Sequence, residues 1–251
     1  RQMCIRDSYW AGCISAYDRR KQAIARSMVK ILNAAGVSWG MLGTRESCTG
    51  DPARRLGEEN LFQSQAKKNL ATLSGVKFKT LVANCPHCFN TLKNEYPDVD
   101  AEYRAKNLRV VHHSHLIQEF IAEGRLSLNS AGLSDEEITF HDPCYLGRYN
   151  DTYQEPREVL VQLGAKPREM ASNQEKSMCC GAGGGHFWMD LKVGERINKL
   201  RVDEAADTSA KTIATACPFC LQMLEDGVKL TDREGQIKVL DLAELVAAQL
   251  H

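Results

Sequence analysis

The chain has 251 residues, of which 43% are hydrophobic and 25% are charged, as is typical of a globular protein that buries its own core. Its 32 Lys and Arg residues balance 32 Asp and Glu residues, so we do not expect a nucleic acid as its partner. The sequence lacks the run of about 18 apolar residues that a membrane-spanning helix requires. Because the chain begins with Arg1 and has no apolar signal segment, we expect a fragment whose first residues, 1–8, form an unmatched leader.

The first predicted element is an amphipathic helix over Arg20–Ala35. Its apolar residues fall on one helical face, and Gly36 follows at a position that favours a left-handed backbone. Further along, short apolar runs predict strands, and helices are predicted over Ser114–Glu123 and Asp241–Gln249. The predicted strands are Thr80–Ala83, Leu108–Val111, Ile138–Phe140, Thr212–Ala216 and Ile237–Leu240.

This alternation of strands and helices predicts an α/β fold in which parallel sheets are flanked by helices. Two of the predicted strands lead directly into a Cys-Pro pair, at Cys85 and Cys217, and Pro favours the first position of a helix. Ligands of open α/β sheets collect beyond the carboxyl ends of the strands. The cysteines are therefore expected to lie where ligands bind.

The ten cysteines repeat along the chain. We define the first set as Cys13, Cys48, Cys85 and Cys88, and the second set as Cys144, Cys179, Cys180, Cys217 and Cys220. The offset in numbering between the sets is 131 for Cys13 and Cys144, and 132 for Cys48 and Cys180, Cys85 and Cys217, and Cys88 and Cys220. Under the offset of 132, Ser47 is the counterpart of Cys179, which leaves the first set with four thiols against five.

Such a pattern indicates an internal duplication. It predicts two similar, pseudo-symmetric domains, a first repeat over residues 9–126 and a second repeat over residues 134–251, with the boundary in Gly124–Ser134. We expect each set of cysteines to converge within its own repeat.

Three structural explanations compete with a redox cofactor for these thiols. Disulfides are disfavoured because the sequence has no secretion signal and adjacent cysteines pair with strain, and separate buried thiols do not explain a duplicated spacing. Zinc suits the four thiols of the first set, but the five of the second set exceed a closed tetrahedral site. The glycine run after Cys180 lets the backbone approach an iron–sulfur cluster closely, and Arg54, Arg55 and Arg148 could offset its charge.

Histidines provide weaker signals. His112, His113 and His115 follow a predicted strand, and we assign no metal to them. His141 and His186 flank the second set; they could donate hydrogen bonds to sulfur or serve a structural role.

The second set, with the motifs Cys179-Cys180-Gly181 and Cys217-Pro218-Phe219-Cys220, resembles the cysteine-rich "CCG" domain family. That family includes the B subunit of heterodisulfide reductase and an iron–sulfur subunit of glycolate oxidase. The resemblance is closer still to the C-terminal part of bacterial membrane-bound iron–sulfur reductases related to electron-transfer-flavoprotein:quinone oxidoreductases. The first repeat departs from the pattern, since Ser47-Cys48-Thr49-Gly50 stands where Cys-Cys-Gly is expected.

The resemblance implies an iron–sulfur oxidoreductase subunit that passes electrons between a flavoprotein donor and a quinone-linked acceptor. It implies a [4Fe–4S] cluster, which can be noncubane, on Cys144, Cys179, Cys180, Cys217 and Cys220. For Cys13, Cys48, Cys85 and Cys88 it implies a [4Fe–4S] cluster or zinc. It also implies a position at the cytoplasmic face of the inner membrane, reached through redox partner proteins or upstream domains. The alternatives are a heterodisulfide or thiol reductase acting at the second set, and a zinc-stabilised interaction module without catalytic activity.

Cys4 has no counterpart in the second repeat, so we predict that it binds no metal. Cys4→Ser should leave the iron and zinc content of the purified protein unchanged, as measured by metal analysis. A loss of either metal would contradict this prediction.

Overall fold

The computed structural model describes residues 6–189 and 194–251, and these residues form two parallel sheets. The first sheet contains β1 (Asp7–Trp10), β2 (Trp39–Met41), β3 (Thr80–Ala83) and β4 (Arg109–His112), in the order β2-β1-β3-β4. The second contains β5 (Ile138–Phe140), β6 (Thr212–Thr215) and β7 (Lys238–Asp241), in that order. The predicted α/β class with parallel sheets is confirmed. Cys4 lies outside the described residues.

Helices connect the strands and cover the sheets. In the first repeat they are α1 (Gly12–Tyr17), α2 (Gln22–Ala34), α3 (Asp51–Arg55), α4 (Glu59–Ser74), α5 (Pro86–Asn90), α6 (Tyr96–Val99), α7 (Ala101–Ala105) and α8 (His113–Ala122). In the second repeat they are α9 (Gln154–Gln162), α10 (Ile197–Asp207), α11 (Pro218–Leu230) and α12 (Leu242–Ala248). A π-helical turn over Thr91–Glu95 joins α5 to α6, and 3₁₀ turns cover Gly43–Arg45, Gln174–Lys176 and Gly183–Trp188.

The first sheet is built around β1, which pairs with β2 on one side and with β3 on the other. This strand begins at Asp7, inside the segment expected to be an unmatched leader. Its four side chains are all buried, including the polar Asp7 and Ser8. Neither β1 nor β2 is predicted from apolar runs, because half of β1 is polar and β2 has only three residues, one of them Gly40.

The second sheet repeats the arrangement with three strands. In both sheets the strand that leads into a Cys-Pro pair, β3 or β6, lies beside the first strand of its repeat. The predicted strands Thr80–Ala83 and Ile138–Phe140 have the observed bounds, and β4 and β7 begin one residue later than predicted. Parallel pairing brings the carboxyl ends of these strands together at one edge of each sheet.

The repeats also pack against each other. Helix α2, whose face of Ile24, Met28, Ile31 and Leu32 is buried as predicted, packs against α12 of the second repeat. Beside this contact, Arg20 forms ion pairs with Glu225 and Glu244, both at 2.7 Å. A continuous apolar core therefore runs through both repeats.

Within residues 6–189 and 194–251, none of the helices is long and apolar enough to cross a bilayer.

Close packing of α10 and α11 produces a testable prediction at Gly227. A Cβ atom there would lie 2.6 Å from the carbonyl oxygen of Asn198 and 2.8 Å from Val202 Cγ2. Because a backbone atom cannot yield as a flexible side chain does, Gly227→Ala should destabilise the protein by about 1–3 kcal/mol, as measured by urea unfolding.

The matched control is Gly75→Ala at the end of α4. There the nearest atom to an added Cβ is the Thr72 carbonyl oxygen at 3.6 Å, and φ is −80°. Equal stability of the two variants would argue against the close packing of α10 and α11.

Candidate metal centre

The cysteines lie where strands end and helices begin. Cys85 and Cys217 immediately precede α5 and α11, with Pro at the first helical position, and Cys88 and Cys220 lie in the first turns of these helices. Cys13 follows β1, and Cys144 follows β5. The other three lie in loops, Cys48 before α3 and the pair Cys179-Cys180 before the 3₁₀ turn over 183–188. All nine of these described cysteines are free thiols.

The four thiols of the first set act on one another. Cys13 and Cys48 shift each other's pKa, and so do Cys85 and Cys88. The charges of Cys85 and Cys88 also act on Cys13, which links the two pairs electrostatically. The first set is therefore one cluster of thiols.

The five thiols of the second set form a chain of contacts. Cys179 is hydrogen-bonded to both Cys144 and Cys180. Cys180 in turn interacts with Cys220, and Cys220 interacts with Cys217. The five thiols of the second set therefore also lie together.

The two sets also touch, whereas the duplication predicts that each stays within its own repeat. The Cys85 and Cys217 thiols act on each other's pKa, and each is only 1% exposed. These two residues are counterparts in the repeats, so the contact lies where the repeats meet. The nine thiols thus form two adjoining groups around one buried junction.

Because the thiols lie close together, some have lowered pKa values and accept hydrogen bonds, while others have raised pKa values and donate them. The hydrogen bond from Cys13 and that from the backbone N–H of Gly50 lower the pKa of Cys48 to about 6, although burial opposes them. Hydrogen bonds from Cys144, Cys180 and the N–H of Gly181 lower the pKa of Cys179 in the same way. The pKa of Cys13 is raised by its hydrogen bond to Cys48 and by burial, and that of Cys144 is raised by its bond to Cys179 and by burial.

Bringing all nine thiols to the thiolate form therefore requires added positive charge, which a bound metal supplies. The donor set is sulfur alone and suits iron–sulfur clusters or zinc. The backbone fits this requirement: Gly50 N–H donates to Cys48 Sγ at 3.5 Å, and Gly181 N–H donates to Cys179 Sγ at 3.3 Å. Both glycines have a left-handed backbone, with φ of 89° and 93°, which lets the chain turn its N–H groups toward sulfur.

These turns correct the predicted register of the repeats. The same hydrogen bond, from glycine to the cysteine two residues earlier, occurs at Cys48 and at Cys179, and each of these cysteines contacts the first cysteine of its set. Cys48 is thus the counterpart of Cys179, at the offset of 131 that also relates Cys13 to Cys144. The counterpart of Cys180 is Thr49, and the predicted pairing of Ser47 with Cys179 is wrong.

Contacts of Thr49 agree with this register. Thr49 is buried and its Oγ1 lies 3.7 Å from Cys88 Sγ, just as Cys180 contacts Cys220. The Ser47 hydroxyl points elsewhere and donates to Asn69 Oδ1 at 2.8 Å. The offset between the repeats is 131 up to Gly181 and 132 at Cys217, so the second repeat has one additional residue between these two positions. The spacing of the cysteines alone does not show where this residue lies.

Polar residues that the sequence analysis missed hold the cysteine loops. Asn69 of α4, which is fully buried, donates to the carbonyl of Cys48 at 2.9 Å. Its counterpart in the second repeat, under the offset of 132, is Arg201 of α10, also fully buried, which donates to the Ser172 carbonyl at 2.8 Å. Each is a polar residue on the buried face of its helix, and this exception to the apolar pattern of the face could have identified it in the sequence.

Carboxylates hold the loops that carry Cys13 and Cys144. Glu46 accepts hydrogen bonds from the backbone N–H groups of Gly12 and Ala11, and burial raises its pKa to about 7 despite these bonds. Asp142 pairs with Arg157 at 2.7 and 3.0 Å and accepts from the N–H of Gln174, on the segment that leads to Cys179.

The arginines expected to offset cluster charge have protein partners. Arg54 pairs with Glu95 at 2.9 Å, and Arg55 pairs with Glu95 and with Asp51. Arg148 donates to the backbone carbonyls of Glu175 and Ser177. Their role toward a bound cluster stays a prediction.

Comparison with known families agrees with the duplicated pattern. The cysteine-rich "CCG" domain family matches residues 8–93 and again residues 138–225. The chain belongs to this family. Each match contains one set of cysteines, and the cysteine-rich domain therefore occurs twice.

Several curated proteins are similar to this cysteine-rich chain. A "Probable iron-sulfur-binding oxidoreductase FadF" of Bacillus subtilis (strain 168) is 44% identical over 95% of the chain and 33% of the relative. An "EtfAB:quinone oxidoreductase" of Syntrophomonas wolfei is 40% identical over 94% of the chain and 33% of the relative. The D subunit of a heterodisulfide reductase from Methanosarcina barkeri is 32% identical over 96% of the chain and 58% of the relative. The chain thus spans about a third of the length of the first two.

Among solved structures, an aspartate racemase homologue from Pyrococcus horikoshii OT3 covers 97% of the chain and 96% of its own, at 9% identity and a TM-score of 0.34. A likeness at this level indicates neither a shared function nor a shared mechanism.

The corrected register predicts the result of introducing a cysteine into the first repeat. In the metal-free protein, Thr49→Cys should form a disulfide between residues 49 and 88 under mild oxidation, because the Thr49 side chain already contacts Cys88 Sγ. Peptide mapping by mass spectrometry would detect the link.

The matched control is Ser47→Cys, whose side chain faces Asn69. This variant should give no link between residues 47 and 88. A link from residue 47, with none from residue 49, would restore the register predicted from the sequence.

Proposed function

We propose that this chain is an iron–sulfur electron-transfer module of a larger oxidoreductase. In this proposal Cys144, Cys179, Cys180, Cys217 and Cys220 hold a [4Fe–4S] cluster, which can be noncubane. The observation that carries the proposal is the convergence of five free thiols around backbone N–H donors at the ends of parallel strands. Iron–sulfur relatives of the same family support it.

For the first set, Cys13, Cys48, Cys85 and Cys88, we propose a [4Fe–4S] cluster ahead of zinc. Four thiols suit either metal. The interaction between Cys85 and Cys217, one thiol from each set, favours iron, because electrons pass readily between neighbouring centres, whereas zinc has no redox chemistry.

The chain's own residues set the conditions for this chemistry. A bound cluster would accept and release single electrons. Burial of Cys85, Cys88, Cys180, Cys217 and Cys220 excludes water from most ligands. Gly50 and Gly181 present N–H groups to the thiolates of Cys48 and Cys179, which stabilises negative charge on sulfur.

Electrons would enter and leave through partners. The described residues carry no dinucleotide-binding glycine fingerprint, so oxidation of an organic substrate belongs to another polypeptide or segment. By analogy with the "EtfAB:quinone oxidoreductase", we propose a flavoprotein donor and a quinone-linked acceptor. Membrane association, at the cytoplasmic face, would come from those partners or adjoining segments, and the two repeats would be domains over residues 9–126 and 134–251.

Disulfide reduction at the second set is a second candidate function. One observation favours it: Cys144 and Cys179 are partly exposed while Cys180, Cys217 and Cys220 are buried, so a disulfide could approach one side of the set. The similarity to the D subunit of heterodisulfide reductase points the same way. Oxidation of the reduced protein by a mixed disulfide, but not by a quinone analogue, would favour this candidate over electron transfer.

Single substitutions test the assignment of two centres. After anaerobic purification, Cys180→Ser should abolish the paramagnetic signal of the second centre, because it removes the thiol that contacts Cys179 and Cys220. Cys48→Ser should remove a distinct metal signal from the first set. Iron, acid-labile sulfide and zinc are measured alongside electron paramagnetic resonance.

The matched control for these variants is Thr49→Ser, which retains a hydroxyl beside Cys88 and should leave both signals intact. Loss of one and the same signal and metal in Cys180→Ser and Cys48→Ser would mean a single centre. Zinc without iron or sulfide would overturn the proposed function.

A further inference from the structure

Beside the second set lies a buried histidine whose ring has one nitrogen without a protein partner. We propose that His141 donates an Nε2–H hydrogen bond to a sulfur atom of the centre held by the second set, and that Arg201 fixes the ring in the required tautomer. This inference rests on the proposed iron–sulfur function.

The His141 ring lies close to two thiols of the second set. A ring nitrogen of His141 and the Sγ atoms of Cys180 and Cys220 all lie within 4.8 Å of one another. The charge of Cys179 also acts on His141. His141 is fully buried, so water does not compete for its ring nitrogens.

The tautomer follows from a neighbouring donor. Arg201 Nε donates to His141 Nδ1 at 3.0 Å, so Nδ1 is the nitrogen without a proton. Because Nδ1 accepts this hydrogen bond, the ring is the neutral imidazole and not the imidazolium. Its single proton is then on Nε2, which has no hydrogen-bond partner among the described residues.

Several contacts hold Arg201 in position. The side chain is 0% exposed, donates to the Ser172 carbonyl at 2.8 Å, and pairs with Glu204 at 2.5 Å. Its Nη2 also reaches Ser177 Oγ at 3.3 Å, two residues before Cys179. Arg201 therefore connects the ring of His141 to the loop that carries Cys179 and Cys180.

An unpartnered buried N–H group destabilises the folded protein unless a ligand accepts its hydrogen bond. The bridging and terminal sulfur atoms of a cluster are such acceptors. The same position in the first repeat, three residues before Cys13, is occupied by Trp10, whose Nε1 is also buried without a partner in the described part of the chain. Arg201 has Asn69 as its counterpart there, so the first repeat lacks the guanidinium that orients the ring.

A hydrogen bond to sulfur stabilises the reduced, more negative state of a cluster and raises its reduction potential. Loss of the N–H group should therefore lower the potential of the second centre alone. We expect a shift of roughly tenfold in the one-electron reduction equilibrium, which corresponds to about 59 mV.

Spectroscopy of the unsubstituted protein tests the proposal without requiring that a variant fold correctly. The protein is labelled with ¹⁵N-histidine, and electron–nuclear double resonance is recorded on the second centre in its paramagnetic state, in H₂O and in D₂O. We expect one exchangeable proton and one weakly coupled histidine nitrogen. A strongly coupled nitrogen would make His141 a metal ligand, and no nitrogen coupling would leave it without contact to the cluster; either result overturns the proposal.

Variants then separate an electronic role from a structural one. His141→Leu should lose the proton and nitrogen signals and lower the potential, with iron and sulfide content unchanged. His141→Gln, whose amide can accept from Arg201 and donate to sulfur, should restore most of the potential. Trp10→Phe, the matched control in the first repeat, should leave the signals of the second centre unchanged.

An unaltered potential in His141→Leu, with full iron content, would overturn this inference and leave the proposed function standing. Absence of iron and sulfide from the unsubstituted protein would overturn both.

Discussion

Nine thiols that lie close together, five of them buried, cannot all carry negative charge without a positive partner. Burial removes the water that would solvate each thiolate, and neighbouring sulfur atoms repel once they are ionised. The protein therefore alternates proton donors and acceptors, so that Cys48, Cys179 and Cys217 have lowered pKa values while Cys13 and Cys144 have raised ones. Such an arrangement suits a cationic metal, which would supply the missing positive charge.

Parallel sheets place several chain segments at one edge. Strands β3 and β6 each end at a cysteine that opens a helix, which brings N–H groups close to sulfur. Loops from elsewhere in each repeat then supply the remaining thiols, and a left-handed glycine turns the backbone toward Cys48 or Cys179. The same devices recur at both sets of cysteines, and three nearby side chains distinguish the two sites: Thr49 stands where the second repeat has Cys180, Trp10 stands in place of His141, and Asn69 stands in place of Arg201.

Much of the architecture could be predicted because apolar runs and cysteine spacing are properties of the sequence alone. The α/β class, the strand Thr80–Ala83 and the buried face of α2 follow from periodicity. Strand β1 could not be predicted this way, since Asp7 and Ser8 are buried in it despite being polar. The counterpart of Cys48 was predicted incorrectly for another reason. Cysteine spacing does not show where one repeat has an additional residue, whereas the hydrogen bond from glycine to cysteine that both repeats share does. The pairing of His141 with Arg201, 60 residues apart, depends on the fold that joins them.

The position of Cys85 and Cys217 between the two repeats affects how readily dioxygen reaches these thiols. Both thiols are buried, and the packing of α2 on α12 and the ion pairs of Arg20 hold the two repeats together around them. If the repeats separated, even briefly, both Cys-Pro turns would meet dissolved dioxygen together. Sensitivity to dioxygen would then depend on how often this interface opens, and so on residues that are not themselves cysteines.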